Sequence, residues 1–272
     1  MGVIATAPML AKMIASCKNK RAEGLAEIHC EVLCAPLQKL FPWASKEAIQ
    51  YELLSNGLFQ PNEWKKIKQT LQGMQQLDIW AIVQKEYGRL RTLWEGPDVP
   101  IYIFPITAGK PKKNGVAYPN ALFLFVSTSL PLEEIHALLA HEYNHICRLQ
   151  FLNRAPSKLT LQDSLIIEGL AECAVEELYG EKWLSPWTKR YTMKQILPIW
   201  QKHFVPALQL IDVENHQPYL FGNQKKLPPW IGYCIGYRLV KSFQKKKGLT
   251  SVDLLQLPAQ TIVDDSSFHR LS

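Results

Sequence analysis

No stretch of this 272-residue chain approaches the ~18 uninterrupted apolar residues that a membrane-spanning helix requires, so an integral membrane segment is excluded. Internal repeats and low-complexity tracts are absent as well, which removes solenoids and extended disordered regions from consideration. Cysteines are few and unevenly spaced: Cys17, Cys30, Cys34, Cys147, Cys173 and Cys234 lie in a chain too large to need disulfide staples. Reduced thiols and a cytoplasmic location are expected. No cationic residue precedes the apolar stretch in "MGVIATAPMLAKMIASC", and Lys12 interrupts it. A buried or half-buried first helix therefore fits better than a leader. The alternative, a lipid anchor on a segment ending at Cys17, rests on a loose match of Ile14-Ala15-Ser16-Cys17 to a lipoprotein cleavage site. The net charge of +7 is dispersed over "KPKK" (110–113), "QKK" (224–226) and "KKK" (245–247), with no aromatics interleaved. These read as solvated faces, and nucleic acid is not an expected partner.

What the chain does have is apolar material, 47% of its residues, enough to bury a sizeable core. An α+β, predominantly helical fold is expected, with a small β-sheet packed on an active-site helix pair and helical N- and C-terminal regions. Residues 1–94 carry helical periodicity and read as an N-terminal lobe, with Ser45 capping one helix that ends at Gly57. A catalytic region is expected over 95–272. Its sheet lies within 101–128, where "IYIFPI" and "ALFLFVST" are β-rich and the basic stretch between them reads as a loop. Pro105 suits an edge or an interruption. Two long helices follow, 131–151 and 161–179, the second with a capping box of Thr160 and Asp163 and an end at Gly180. Further helices fill 181–272, notably 228–248.

The chemistry concentrates in "HALLAHEYNH" (136–145). Positions four apart on a helix differ by only about 40° around its axis, so His141 and His145 project from one face and can reach one ion. Glu142, offset by about 100°, can reach a water on that ion without being a ligand. His136 is well around the helix, where packing is its expected role. A hydrolytic zinc site needs a third protein ligand and an open position. "SLIIEGLAECAVEELYG" supplies the candidate in Glu168, a carboxylate among apolar neighbours that needs a partner. The 23 residues from His145 to Glu168 suffice for a helix end, a loop and an antiparallel return. Gly169 permits the two helices a close approach. Glu172 is a candidate second-sphere acceptor for a liganding histidine, while Glu176 and Glu177 read as an exposed acidic face. Cys147 lies about 200° from His145 and Cys173 about 140° from Glu168, so neither points at the ion.

His141-Glu142-Tyr143-Asn144-His145 followed by Glu168-Gly169-Leu170-Ala171-Glu172 resembles the gluzincin metallopeptidases, which bind zinc through two histidines and a downstream glutamate. More narrowly, "MGVI", "LFLFVS", "HEYNHICRL", "LQDSLIIEGLAE" and "PPWIGYCIGYRLV" together resemble the YjaZ-like family of predicted zinc-dependent proteases of bacteria. The resemblance covers nearly the whole chain and is strongest from about 120 to 245. In "ATAPMLAKMIASC" the sequence departs from that pattern by lacking the charged residues expected after the first few positions. The resemblance implies one Zn2+ per chain at His141, His145 and Glu168, with Glu142 as general base.

On this reading zinc lowers the pKa of water towards neutrality and polarises a scissile carbonyl, and Glu142 takes the proton and delivers it to the leaving amine. An oxyanion donor is also needed, and Tyr233, Tyr237, Arg238, His203 and His216 are available. Tyr233 and Tyr237 are preferred. They lie four apart, each after a glycine, in a pattern similar to the Gly-Tyr helix of zinc oligopeptidases, where tyrosines contact substrate. The alternative for the pair is a core role. His216 lies in what reads as a loop. The expected substrate is a peptide or unfolded protein, and "NALFLFVS" is a candidate edge strand for it, although its two apolar faces equally suit a central strand. Two rival functions share the site: a catalytically silent, metal-stabilised binding module, and a zinc hydrolase of a non-peptide amide. Glu142 argues against the first.

Overall fold

A computed structural model describes residues 2–18, 22–109, 111–223 and 226–268. Lys110, Gln224 and Lys225 of the basic clusters lie outside them. The fold is α+β and predominantly helical, with one four-stranded sheet. In chain order the elements are β1 (Val3–Ile4), α1 (Ala7–Cys17), α2 (Leu25–His29), α3 (Lys46–Ser55), α4 (Trp64–Gln76), α5 (Ile79–Trp94), β2 (Ile101–Pro105), β3 (Lys113–Tyr118) and β4 (Ala121–Val126). Then come α6 (Leu132–Leu152), α7 (Leu161–Tyr179), α8 (Met193–Ile199), α9 (Val213–Leu220), α10 (Ile231–Lys247), α11 (Ser251–Leu254) and α12 (Ala259–Asp265). Two compact units share the chain: Met1–Thr92 with Pro97–Glu142, and Leu93–Gly96 with Tyr143–Ser272. The division falls inside α6, between Glu142 and Tyr143, so that one continuous helix serves both.

The first unit packs its helices against the sheet. Ser45, extended at φ −70° and ψ 157°, accepts a hydrogen bond from Ala48 N at 3.1 Å and starts α3. Alternate side chains of the inner strands, Tyr102 and Phe104 with Phe123 and Phe125, join Leu10, Met13, Leu33, Leu53 and Phe59 in one buried core. The sheet order is β1-β2-β4-β3, with β1, β2 and β4 parallel and β3 antiparallel to β4.

This order corrects three expectations. The N-terminal region is not helical throughout, because Val3–Ile4 pairs with Ile101 and Tyr102. The basic stretch before β4 is not all loop: Lys113–Tyr118 forms β3, whose "KNGVAY" lacks the apolar run that would have marked it. "ALFLFV" is accordingly an inner strand, buried at every residue, and the edge belongs to β3. Pro105, in turn, ends an inner strand. Ile101 N bonds Gly2 O on the β1 side, so the position two pairs on, Pro105, faces the side where β1 has already ended and no amide is needed.

The second unit is built on α7 and α10. Thr160 and Asp163 form the capping box, with Asp163 N donating to Thr160 Oγ1 and Thr160 N to Asp163 Oδ2. The close approach at Gly169 is made to α10, in place of the expected contact between the two active-site helices. A Cβ at Gly169 would fall 2.1 Å from Gly236 O, and one at Gly236 would fall 2.2 Å from Leu165 O. The two backbones therefore cross in contact, a geometry that only glycine at both positions permits.

Candidate metal centre

Helix α6 is apolar around most of its circumference. Between Ile135 and Arg148 every residue is buried except His136, His141 and His145. The i, i+4 spacing of the last two forms a partly exposed stripe on an otherwise enclosed helix. α7 repeats the pattern: from Leu161 to Val175 each residue is buried except Glu168. Besides His136, the positions where these buried stretches open to solvent are thus two imidazoles and a carboxylate.

They open onto each other. One ligand atom from each of His141, His145 and Glu168 lies within 4.8 Å of the others, and His145 Nε2 is 3.6 Å from Glu168 Oε2. Two donors on a tetrahedral zinc, each at about 2.0–2.1 Å, stand ~3.4 Å apart, so this spacing fits an ion held between them. Two imidazole nitrogens and one carboxylate oxygen form a donor set suited to zinc and leave a fourth position for water or substrate. Cysteine does not complete the group. All six cysteines are buried and free. Burial pushes the Cys147 thiol up to about 12 and holds Cys173 well above the usual thiol range, and among the described residues the clustered donors are His141, His145 and Glu168 without a cysteine.

Glu142 follows His141 and is buried. Gly115 of β3 lies against it: a Cβ at Gly115 would come within 2.4 Å of Glu142 Cγ and 2.6 Å of its carboxyl carbon. The bare backbone of the edge strand therefore runs directly past this carboxylate. Sequence reasoning missed Gly115, although a glycine inside an alternating strand pattern signals a close backbone approach.

The remaining residues singled out from the sequence are held in the second unit as follows. Glu172 accepts hydrogen bonds from Ser185 N at 3.0 Å and Ser185 Oγ at 2.5 Å, tying α7 to the following loop. Tyr237 donates to Glu176 Oε2 at 2.7 Å, and Lys241 completes that cluster at 2.8 Å. Burial first, and then the Glu176 carboxylate, hold the Tyr237 phenol above its usual range. Glu176 is therefore a half-buried, paired group and not part of an exposed acidic face. Tyr233 packs into a ring cluster with Trp187, Trp230 and Phe221. His216 sits in α9 and not in a loop, fully buried, with Nε2 donating to Leu210 O and Nδ1 accepting from Ser164 Oγ, each at 2.8 Å.

Residues 79–264 match the model of a family described as predicted Zn-dependent protease. The chain belongs to that family. The uncharacterized protein YjaZ of Bacillus subtilis (strain 168) is 32% identical over 238 residues, covering 83% of this chain and 89% of that protein. A second B. subtilis protein, the uncharacterized YjfC, is 29% identical over 158 residues, 53% of this chain and 52% of its own length. No solved structure matches. The family match spans α5 to α12 and so contains every residue of the candidate centre. Among the described residues no helix is long and apolar enough to cross a membrane.

Proposed function

We propose that this protein is a zinc metallopeptidase of the gluzincin type, with His141, His145 and Glu168 as the ligands of one Zn2+ and Glu142 as general base. The observation that carries the reading is the convergence of those three side chains at the partly exposed positions of two otherwise buried helices. Bound there, zinc supplies Lewis acidity, bringing the pKa of water towards neutrality and polarising a carbonyl. Glu142 accepts the proton of the attacking water and returns it to the leaving amine, the role that an acid-base carboxylate beside the metal performs.

The substrate is a peptide or unfolded protein added to the outer edge of β3. Ser127 N bonds Lys112 O, and β3 then pairs with β4 through Asn114↔Phe125 and Val116↔Phe123. The alternation of an antiparallel ladder directs the amide and carbonyl groups of Lys113, Gly115 and Ala117 away from β4, available to a further strand. At Gly115 that strand passes the Glu142 carboxylate. The Tyr237 hydroxyl already donates its hydrogen bond to Glu176, so the oxyanion role falls to Tyr233, with Tyr237 positioning α10. Glu172 braces α7 one turn beyond Glu168 through Ser185. Six free, buried cysteines support a reducing, cytoplasmic setting.

Metal analysis of wild type and Glu142→Gln, run beside hydrolysis of an unfolded protein substrate, tests this. Zinc is expected in both and hydrolysis only in the wild type. An unchanged rate in Glu142→Gln overturns the assignment of the base.

A further inference from the structure

An apolar pocket of about 140 Å³ opens in the first unit, at the far end of the same edge strand from Lys113. Its walls are Phe41, Trp43, Ala48, Ile49, Leu53 and Tyr118. Tyr118 is the last residue of β3, and its hydroxyl donates to Glu52 Oε1 at 3.0 Å, which fixes the ring as a wall. Phe41 meets that ring edge-on at a centroid distance of 5.1 Å. Trp43, another wall, stands 78% exposed with its ring edge-on to Phe41 at a centroid distance of 5.9 Å. The volume matches one large side chain: a cavity of about 150 Å³ lined by aliphatic and aromatic residues accommodates benzene.

We infer that this pocket is a specificity subsite that receives one large apolar side chain, Phe or Leu in class, of the substrate strand on β3. The inference rests on the proposed peptidase reading and on the strand's geometry. Side chains alternate between sheet faces, so Gly115 faces Glu142 while Val116 and Tyr118 face the helical core of this unit. A substrate strand lying antiparallel to β3 alternates in the same way. Its residue opposite Tyr118 therefore turns towards the pocket when the residue opposite Gly115 turns towards Glu142. Those two substrate residues are three apart, and the antiparallel direction places the pocket residue on the amino side. The subsite thus reads one position N-terminal to the scissile bond, on the opposite face of the strand from the reacting centre.

Peptides identical except for Phe, Leu, Ser or Asp at each position before the cleavage site provide the test. At a single position Phe and Leu are expected to exceed Asp in kcat/KM by about tenfold or more, in the range set by filling a hydrophobic pocket. Ala48→Phe fills the pocket from an exposed helix position, and Trp43→Ala removes an exposed wall that meets the core edge-on at Phe41. Both should flatten the preference while their melting temperatures stay near that of the wild type. Equal rates for all four residues at every position, or a preference unchanged in both variants, overturn the subsite. A second arm separates this from failure of the peptidase reading. Binding of the Phe and Asp peptides to Glu142→Gln, followed by tryptophan fluorescence, should favour Phe and lose that bias on adding Ala48→Phe. If no peptide is hydrolysed but this binding pattern holds, the subsite stands and the catalytic reading falls. Equal binding of the two peptides overturns the subsite.

Discussion

Two kinds of histidine coexist in this molecule. His29 and His216 are fully buried, and each meets both demands of a neutral imidazole with protein groups. His29 Nε2 donates to Phe59 O at 3.1 Å while its Nδ1 accepts from Gln50 Nε2 at 2.9 Å, and His216 does the same with Leu210 O and Ser164 Oγ. These rings hold the fold together. His141 and His145 are arranged differently: one ring nitrogen of each lies within 4.8 Å of the other and of a Glu168 carboxylate oxygen. Donor matched to acceptor is self-sufficient, whereas two imidazole nitrogens and a carboxylate oxygen gathered together form a donor set suited to a cation. The identity of the partners, and not burial alone, separates a structural histidine from a metal-binding one.

The sharpest way to break this comparison is to remove one member of each kind. His145→Ala should lose its zinc and reduce peptide hydrolysis by about a thousandfold or more, as loss of an indispensable group does. His216→Ala should keep zinc and lose about 2–3 kcal/mol of stability instead, because Ser164 and Leu210 O are left buried without their partner. Metal analysis and denaturant titration on the same two proteins read both effects. Zinc loss in His216→Ala, or zinc retained in His145→Ala, would erase the distinction.

His29 offers a test through pH. Burial lowers its pKa from the ordinary 6.5 to about 4, only partly offset by its bond to Phe59 O. Below pH 6.5 the unfolded chain takes up a proton that the folded chain refuses, so stability falls as the pH drops towards 4, by up to ~3 kcal/mol, and this term is constant above 6.5. Denaturant titrations across that window should show a shallower acid-side slope in His29→Gln than in the wild type. Equal slopes would mean that His29 titrates normally.

A smaller effect sharpens the other side. Gly115→Ala should lower kcat by about tenfold, since its Cβ needs the space of Glu142 Cγ, while zinc content and melting temperature hold. The carboxylate is the flexible partner in that contact, so it moves and the strand does not.

How much of this was legible beforehand follows from where the signal resides. That His141 and His145 share a face is readable because helical spacing alone fixes it, whereas the nearness of Glu168, on α7, is a property of the tertiary fold. The capping box at Thr160 was readable for the same local reason. β3 was not, because its sequence carries no apolar alternation and its pairing with β4 is a property of the hairpin. Gly169 was recognised as a contact residue but assigned the wrong neighbour. A glycine announces a close approach without naming the partner, here Gly236, 67 residues on, a pairing that only the tertiary fold determines. The polar neighbourhood of His216, "ENHQPY", reads as a loop, yet it forms α9, held by the hydrogen bonds of the buried ring. The Glu176 cluster escaped for a similar reason, since Tyr237 and Lys241 reach it from a helix distant in sequence.

The central claim is the composition of the metal site, and X-ray absorption at the zinc edge of the purified, full-length protein measures it most directly. The account predicts about one zinc per chain with two imidazoles in its shell, oxygen or nitrogen at about 2.0–2.1 Å and no sulfur. A sulfur scatterer near 2.3 Å would bring one of the buried cysteines into the site, close its open position and contradict the account.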